Sequence, residues 1–438
     1  MSPKRHQNVM CAMQHHHMTN DIEFNSRDIV VDELPTQRRQ LRLAVVTETY
    51  PPEINGVALT IARFVEGLRT LGHEVQLVRP RQAKSDAAEE QEVLMRGLPI
   101  PRYPHLKMGL PAKNALVNLW SHQRPDVVHI VTEGPLGYSA LQAALKLELP
   151  VTSDFRTNFH AYSGHYGIGW LKRPIFAYLR KFHNRTLSTM VPTDALKQEL
   201  HKVGFQNLRV VARGVDTALF NPFKRCEALR RSWGADATTP VAIYVGRIAS
   251  EKNLGALELA FRAIAAKAPR AKLIVVGDGP QRSDMQTRLP SAIFCGLQHG
   301  EDLAKHYASG DIFLFPSITE TFGNVTPEAM ASGLAVVAYD YAAAAQLIVN
   351  DVSGKLVPYN NTNAFVSAAV DAVSNMERIG GWKIAARQTA EMLNWERLVR
   401  ELEAVFYQAS ATTQQVSTCT TSNEFKFSGN PKNLAHKN

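Results

Sequence analysis

Two doubly wound α/β domains facing each other across a cleft are the fold class this sequence predicts, and three observations carry it. Short apolar runs of strand length alternate with helical stretches in two series, one starting near Leu41 and one at Val241. That alternation makes parallel sheets with helices on both faces. A glycine-containing loop follows the first strand of each series, Asn55-Gly56-Val57 in one and Val245-Gly246-Arg247 in the other. Ligands of such sheets sit beyond the carboxyl ends of the strands, so both loops belong to the expected cleft. At 438 residues the chain is also longer than one typical core, and two domains is the expectation.

Residues 1–40 are polar and aperiodic and read as a disordered tail. The first domain spans 41–212. Its strands are expected at Leu43–Val46, Glu74–Val78, Asp126–Val131, Pro150–Phe155, Thr189–Pro192 and Leu208–Val211. Helical faces lie between them: Val57 to Leu68, Leu136–Leu147, and Asp194–Val203, which Thr193 caps and Gly204 stops. Over 213–239 the pattern loosens around Gly214 and Asn221-Pro222, which reads as a link between domains. The second domain, 240–382, has strands at Val241–Val245, Leu273–Val276, Ile293–Cys295, Ile312–Phe315, Ala335–Ala338 and Lys355–Val357. Helices fall at Leu254–Ala266, Asp302–Ala308, Pro327–Ala331, Ala342–Val349 and Ala364–Val373. One long helical stretch is expected over 383–410 around Trp395, and 411–438, rich in Ser, Thr and Asn, reads as a second disordered tail.

The composition, 45% hydrophobic and 20% charged, is that of a globular protein with real cores. A formal net charge of +9 points to anionic partners: a phosphorylated small molecule, a membrane surface or nucleic acid. Cys11, Cys226, Cys295 and Cys419 show no zinc or redox spacing, which suits a reducing, cytoplasmic compartment. No apolar run is long enough to span a membrane, and the N-terminus lacks the apolar core of a signal peptide. The His15-His16-His17 run can bind metal, but it sits in a tail composition.

The chain is organised around Pro316 to Gly333. The strand before it ends at Phe315; Thr326, Pro327 and Glu328 then read as a helix start, with a capping hydroxyl, a proline suited to the first turn and an acid at the positive dipole end. Strand, loop and helix N-terminus suit an anion, and Gly323 lets it approach the backbone. Glu320 and Glu328 bracket the loop, and carboxylates beside an anion site suit the hydroxyls of a sugar or ribose. The alternative is an ordinary capped helix with two solvated acids. Arg247 and Lys252 flank a second loop ending at Asn253; a fork and a point charge can hold a diphosphate, or the loop is a solvated salt bridge. Gly277-Asp278-Gly279-Pro280 offers another close backbone approach or a plain turn.

Together these stretches resemble the retaining glycosyltransferases of family 4, which have the GT-B fold, from about Leu41 to Ser410. The resemblance rests on the order and spacing of Tyr50-Pro51-Pro52 with Asn55-Gly56-Val57, Gly246-Arg247 with Lys252-Asn253, Gly277 to Pro280, and Glu320 with Glu328. It is nearest the bacterial GDP-mannose-dependent alpha-mannosyltransferases, with enzymes using UDP-sugars close by. The resemblance implies that Arg247 and Lys252 neutralise the leaving nucleoside diphosphate and that Glu320 binds the donor sugar. It implies that the amides of Phe322, Gly323, Asn324 and Val325 hold sugar and phosphate, that Glu328 binds the ribose, and that Gly56 and Gly277 let backbone approach the donor. No Asp-x-Asp motif occurs, which agrees with a mechanism needing no cofactor and no metal. The implied chemistry is front-face attack, with the leaving phosphate taking the acceptor proton.

One departure stands out. Family members often carry Phe-His-Thr after the fourth strand; here it is Phe155-Arg156-Thr157, with His160 further on. Either Arg156 or His160 is expected to take over that sugar-facing role, though Arg156 cannot act as a general base. His129 and Glu133 are expected toward the same cleft, on the acceptor side, or as structural groups. Trp170 to Phe182 mixes aromatic and basic residues and reads either as a helix packing on the first sheet or as peripheral contact with an anionic membrane on its inner face. The expected activity is transfer of a hexose, with mannose favoured, from a nucleotide sugar to a lipid or glycan hydroxyl. A sugar-nucleotide epimerase or hydrolase, or a donor-binding protein impaired in catalysis, are the rivals. Aromatic RNA-binding motifs are lacking, so no nucleic acid partner is expected.

Overall fold

The computed structural model describes residues 39–53, 55–83, 85–100, 103–156 and 172–424. Most of the N-terminal tail, His160, Trp170 and the chain after Glu424 therefore lie outside the described residues.

Two parallel sheets form the frame. Strands β1 (Arg42–Val46), β2 (Glu74–Pro80), β3 (Glu92–Met95), β6 (Val127–Ile130), β7 (Val151–Asp154), β8 (Ser188–Val191) and β9 (Leu208–Val210) make one, in the order β3-β2-β1-β6-β7-β8-β9. Strands β4 (Gly97–Ile100) and β5 (Tyr103–Gly109) form a separate antiparallel pair. The second sheet holds β10 (Val241–Val245), β11 (Lys272–Val276), β12 (Ile293–Gly296), β13 (Ile312–Phe315), β14 (Ala335–Tyr339) and β15 (Lys355–Val357), in the order β12-β11-β10-β13-β14-β15. In both sheets the order reverses beside the first strand, at β1/β6 and at β10/β13, the switch points where ligands of open α/β sheets bind. The strand pattern read from sequence holds for every strand expected there; β3, β4 and β5 were not foreseen.

Three expectations need correction. The segment 213–239 is not a loose link. Val215, Phe220 and Trp233 enter the core of the second domain, and the short helix Glu227–Ser232 carries the fully buried Arg230. The Arg230 guanidinium donates to the carbonyls of Ser309, Asp236 and Thr239 at 2.8, 2.8 and 2.7 Å and to Asp311 at 3.1 Å, so its own charge is matched. Second, the stretch expected as one helix is two, Met376–Glu391 and Trp395–Glu424. Asn394 caps the second, its side chain accepting the Arg397 N–H at 2.8 Å. Third, that last helix runs on to Glu424, well into the stretch expected as tail.

The break before Trp395 sends the chain back to its first half. Ile379, Trp382, Ala386 and Ala390 of the earlier helix pack in the second domain. Leu398, Leu402, Val405 and Phe406 of the later one join Ile61, Phe64 and Leu68 of the helix Gly56–Thr70 in the core under the first sheet. A Cβ on Gly67 would lie 2.4 Å from Val399, so this helix pair depends on glycine for its closeness. The polypeptide thus crosses between domains twice, and the crossings touch. Val215 N–H donates to the Leu393 carbonyl at 3.1 Å, and a Cβ on Gly214 would lie 2.7 Å from Trp395 Cδ2.

Candidate active site

Lys252 and Glu320 meet beyond the carboxyl ends of β10 and β13. Lys252 lies at the end of the loop after β10; its Nζ is 2.5 Å from Glu320 Oε1, which also accepts from Ser317 Oγ at 2.7 Å. The two loops are tied together again where Thr319 Oγ1 donates to the Glu251 carbonyl at 2.9 Å. Arg247, on the same loop as Lys252, pairs with Glu251 at 3.2 Å and keeps part of its surface exposed. Tyr341 Oη donates to the Glu320 carbonyl and Tyr244 Oη to the Arg247 carbonyl, each at 2.9 Å, so both turns are held from beneath. Of the sequence-predicted residues, Lys252 and Glu320 therefore meet directly, while Arg247 lies on the same loop as Lys252 and pairs with Glu251.

Glu328 lies deeper, in the helix Val325–Ala331. Burial pushes its carboxyl up to about 7, against the Tyr307 hydroxyl that donates to it at 3.0 Å. The helix starts earlier than expected, at Val325, and Thr326 is buried rather than capping it. Asn324 stands before this helix, but its side chain makes no cap bond; its Oδ1 accepts from Arg213 Nη1 at 3.2 Å. Gly323 has a φ of +92°, a left-handed conformation that suits glycine.

The first domain reaches this loop through Gly56. A Cβ there would lie 3.1 Å from Asn324 Nδ2 and 3.5 Å from Arg213 Nη1, so two domains and the crossing segment converge on one point. Asn55 fixes that approach by capping the helix, its Oδ1 accepting the Val57 and Ala58 N–H groups at 3.0 and 2.8 Å.

The other expected residues are placed differently. Gly277 faces protein, not open space: a Cβ would sit 2.0 Å from the Gly246 carbonyl oxygen, and Ile248 N–H donates to the Asp278 carbonyl at 2.9 Å. It braces the Arg247 loop. His129 lies inside β6, where its Nδ1 is 3.0 Å from Thr152 Oγ1, its Nε2 is 3.4 Å from Asp154, and its ring meets Phe406. Glu133 is buried against His183 at 3.1 Å, and Ser153 Oγ lies 2.9 Å from the other ring nitrogen of that histidine. Both are internal groups rather than acceptor-facing ones. Arg156 is buried, paired through Nε with Asp154 and set over the Phe64 ring at 5.4 Å. Against complete burial, the Arg156 guanidinium and the His129 ring beside it hold the Asp154 carboxyl down at about 2.

Sequence reasoning missed Arg213, Tyr307 and Asp154. A cation beside glycine directly after a strand, Arg213-Gly214, is the signal that would have flagged the first. Nothing local marks Tyr307, which lies on the helix Gly300–Ala308 and reaches Glu328 through the fold.

Two parallel sheets with one strand order, joined by crossing segments and meeting at a charged seam, make the GT-B arrangement of nucleotide-sugar transferases. Comparison with known proteins narrows this. The description "Glycosyltransferase Family 4" matches residues 54–219, and "Glycosyl transferases group 1" matches residues 239–375. A GDP-mannose-dependent alpha-mannosyltransferase of Mycobacterium tuberculosis (strain CDC 1551 / Oshkosh) is 33% identical over 372 residues, covering 83% of this chain and 95% of that protein. The sulfoquinovosyl transferase SQD2 of Arabidopsis thaliana is 32% identical, over 72% of this chain and 62% of its own length. Among solved structures, sucrose-phosphate synthase from Thermosynechococcus elongatus superposes with a TM-score of 0.69 at 18% identity, covering 85% of this chain and 100% of that one. The chain belongs to the family 4 glycosyltransferases. Among its described residues no helix is long and apolar enough to cross a membrane.

Proposed function

We propose that this glycosyltransferase moves mannose from GDP-mannose to a hydroxyl of a lipid or glycan, with retention at the anomeric carbon and with Arg247 and Lys252 in place of a metal ion. The observation that carries the reading is the Lys252–Glu320 contact, which sets a cation for the diphosphate beside a carboxylate for the sugar. The sugar C1–O bond to the β-phosphate breaks and its electron pair stays on the phosphate. A new C1–O bond forms to the acceptor, whose proton passes to that phosphate. Arg247 and Lys252 stabilise the charge that develops, in a site partly shielded from water. Glu328 takes the ribose hydroxyls as an acceptor of hydrogen bonds. The donor nucleotide is read from the relatives named GDP-mannose-dependent; a 32% identical relative named a sulfoquinovosyl transferase makes the choice of sugar the point to test.

Labelled GDP-mannose, UDP-glucose and UDP-galactose, each offered with membrane lipids and free glycans in EDTA, test this. Acceptor-dependent transfer from GDP-mannose with an α-linked product is expected. Transfer from a UDP-sugar alone would overturn the donor, and loss of activity in EDTA that Mg²⁺ restores would overturn the metal-free step.

Membrane contact belongs to the same reading. The helix Lys172–His183 buries Leu179 and Phe182 in the protein and leaves Tyr178 exposed beside the exposed Arg173, Arg180 and Lys181. Contact with an anionic surface would then be chiefly electrostatic. It should vanish in high salt when followed by vesicle sedimentation.

A further inference from the structure

Counter-charges at the seam are shared unevenly. Lys252 has Glu320, Arg247 has Glu251 and Arg156 has Asp154. Arg213 sits among them, 5% exposed, and among the described residues it forms no ion pair. Its Nη1 donates to Asn324 at 3.2 Å, its guanidinium lies over the Phe322 ring at 5.8 Å, and its Nε has no hydrogen-bond partner. A buried cation with an unused donor is costly unless an anion completes it. Burial first, and repulsion from Arg156 second, push this guanidinium down to about 9, so it is still charged at neutral pH. Asp154 and Glu320 offset this only in part.

Position supplies the rest. Arg213 begins the first crossing between domains, one residue before the Gly214–Trp395 contact. It touches the donor-domain loop at Phe322 and Asn324, and it stands beside Gly56 of the first domain. We propose that Arg213 is a third cation for the leaving nucleoside diphosphate, supplied by the crossing segment at the point where Gly56 and Asn324 meet. This rests on the nucleotide-sugar reading above. As the C1–O bond breaks, the electron pair left on the β-phosphate raises the charge that Arg213 meets, so the residue acts on the departing group.

Titration calorimetry of GDP, GMP and guanosine against the full chain and its Arg213→Lys, Arg213→Gln and Arg213→Ala variants tests it, with thermal melts to confirm folding. GDP affinity should fall about 10- to 100-fold in the Gln and Ala variants, GMP affinity by less than about threefold, and Lys should recover part of the loss. Equal losses for GDP, GMP and guanosine would mean a purely structural residue and overturn the proposal, as would unchanged GDP affinity in folded variants. If the unaltered chain binds UDP and not GDP, the same ratio is read with UDP, UMP and uridine. If it binds neither, the donor reading falls, and this inference with it.

Discussion

In the first domain, charged groups near the strand ends are closed into internal networks: Asp154 takes Arg156 and His129, and Glu133 takes His183, which in turn meets Ser153. In the second, the corresponding groups sit on loops, paired across a surface that solvent still reaches, as Lys252 with Glu320 and Arg247 with Glu251. The sheets share a strand order, so topology does not set this difference. Burial does. A closed pair in low dielectric is expensive to open and serves stability, whereas a partly exposed pair can exchange its partner for a ligand. The contrast suggests that the first domain is a rigid wall and the second carries the exchangeable charge.

Breaking the first-domain network should have the largest effect. Asp154→Ala would strand Arg156 and leave His129 without its carboxylate, and is expected to cost about 3–5 kcal/mol in urea unfolding. Lys252→Ala should do the opposite: kcat/KM falls about 10²- to 10³-fold while the unfolding midpoint moves little. A Lys252 variant that unfolded as readily as the Asp154 variant would mean that both domains hold their charge pairs for stability.

Glu328 sharpens it. Its folded carboxyl stands at about 7 against an ordinary 4.5, so the protein holds that proton more tightly than the unfolded chain does. Its contribution to stability is complete below about pH 4.5 and is lost as pH rises through about 7. Glu328→Gln should therefore raise stability by about 1–3 kcal/mol at pH 8 and much less at pH 5, followed by thermal melts at both. Donor affinity should fall in the same variant, since the carboxylate is proposed to take the ribose. Glu48, in the first domain, is likewise raised by burial to about 7, but it accepts the Leu136 N–H at 2.8 Å and so holds a helix start rather than facing the seam. The smallest effect is expected at Gly56→Ala. The added methyl meets only flexible side-chain ends at 3.1 and 3.5 Å, so a roughly three- to tenfold rise in donor KM, about 1 kcal/mol, with unchanged stability is expected.

Much of this was legible in the residues alone. Val241–Val245 and Ile312–Phe315 are fully buried strands, and continuous apolar runs announce such strands without tertiary help. The meeting of Lys252 with Glu320, with Arg247 on the same loop as Lys252, was legible because each sits on a loop right after one of those strands. The break before Trp395 was harder, since apolar residues continue on both sides of it; Asn394 was its only local mark. His129 and Glu133 were placed toward the cleft from their nearness to a strand end. Their partners, Asp154 and His183, are remote in sequence, and side-chain direction is not written in one segment.

Residue order alone specified two parallel sheets and the loops at their switch points, because strand and helix periods are local properties of burial. Tertiary packing alone set which cations face one another, where the chain recrosses at Val215 and Leu393, and that Arg213 is buried at the seam with no ion pair among the described residues. Those outcomes depend on pairs far apart along the chain, and the dielectric around a charge is set by everything packed against it.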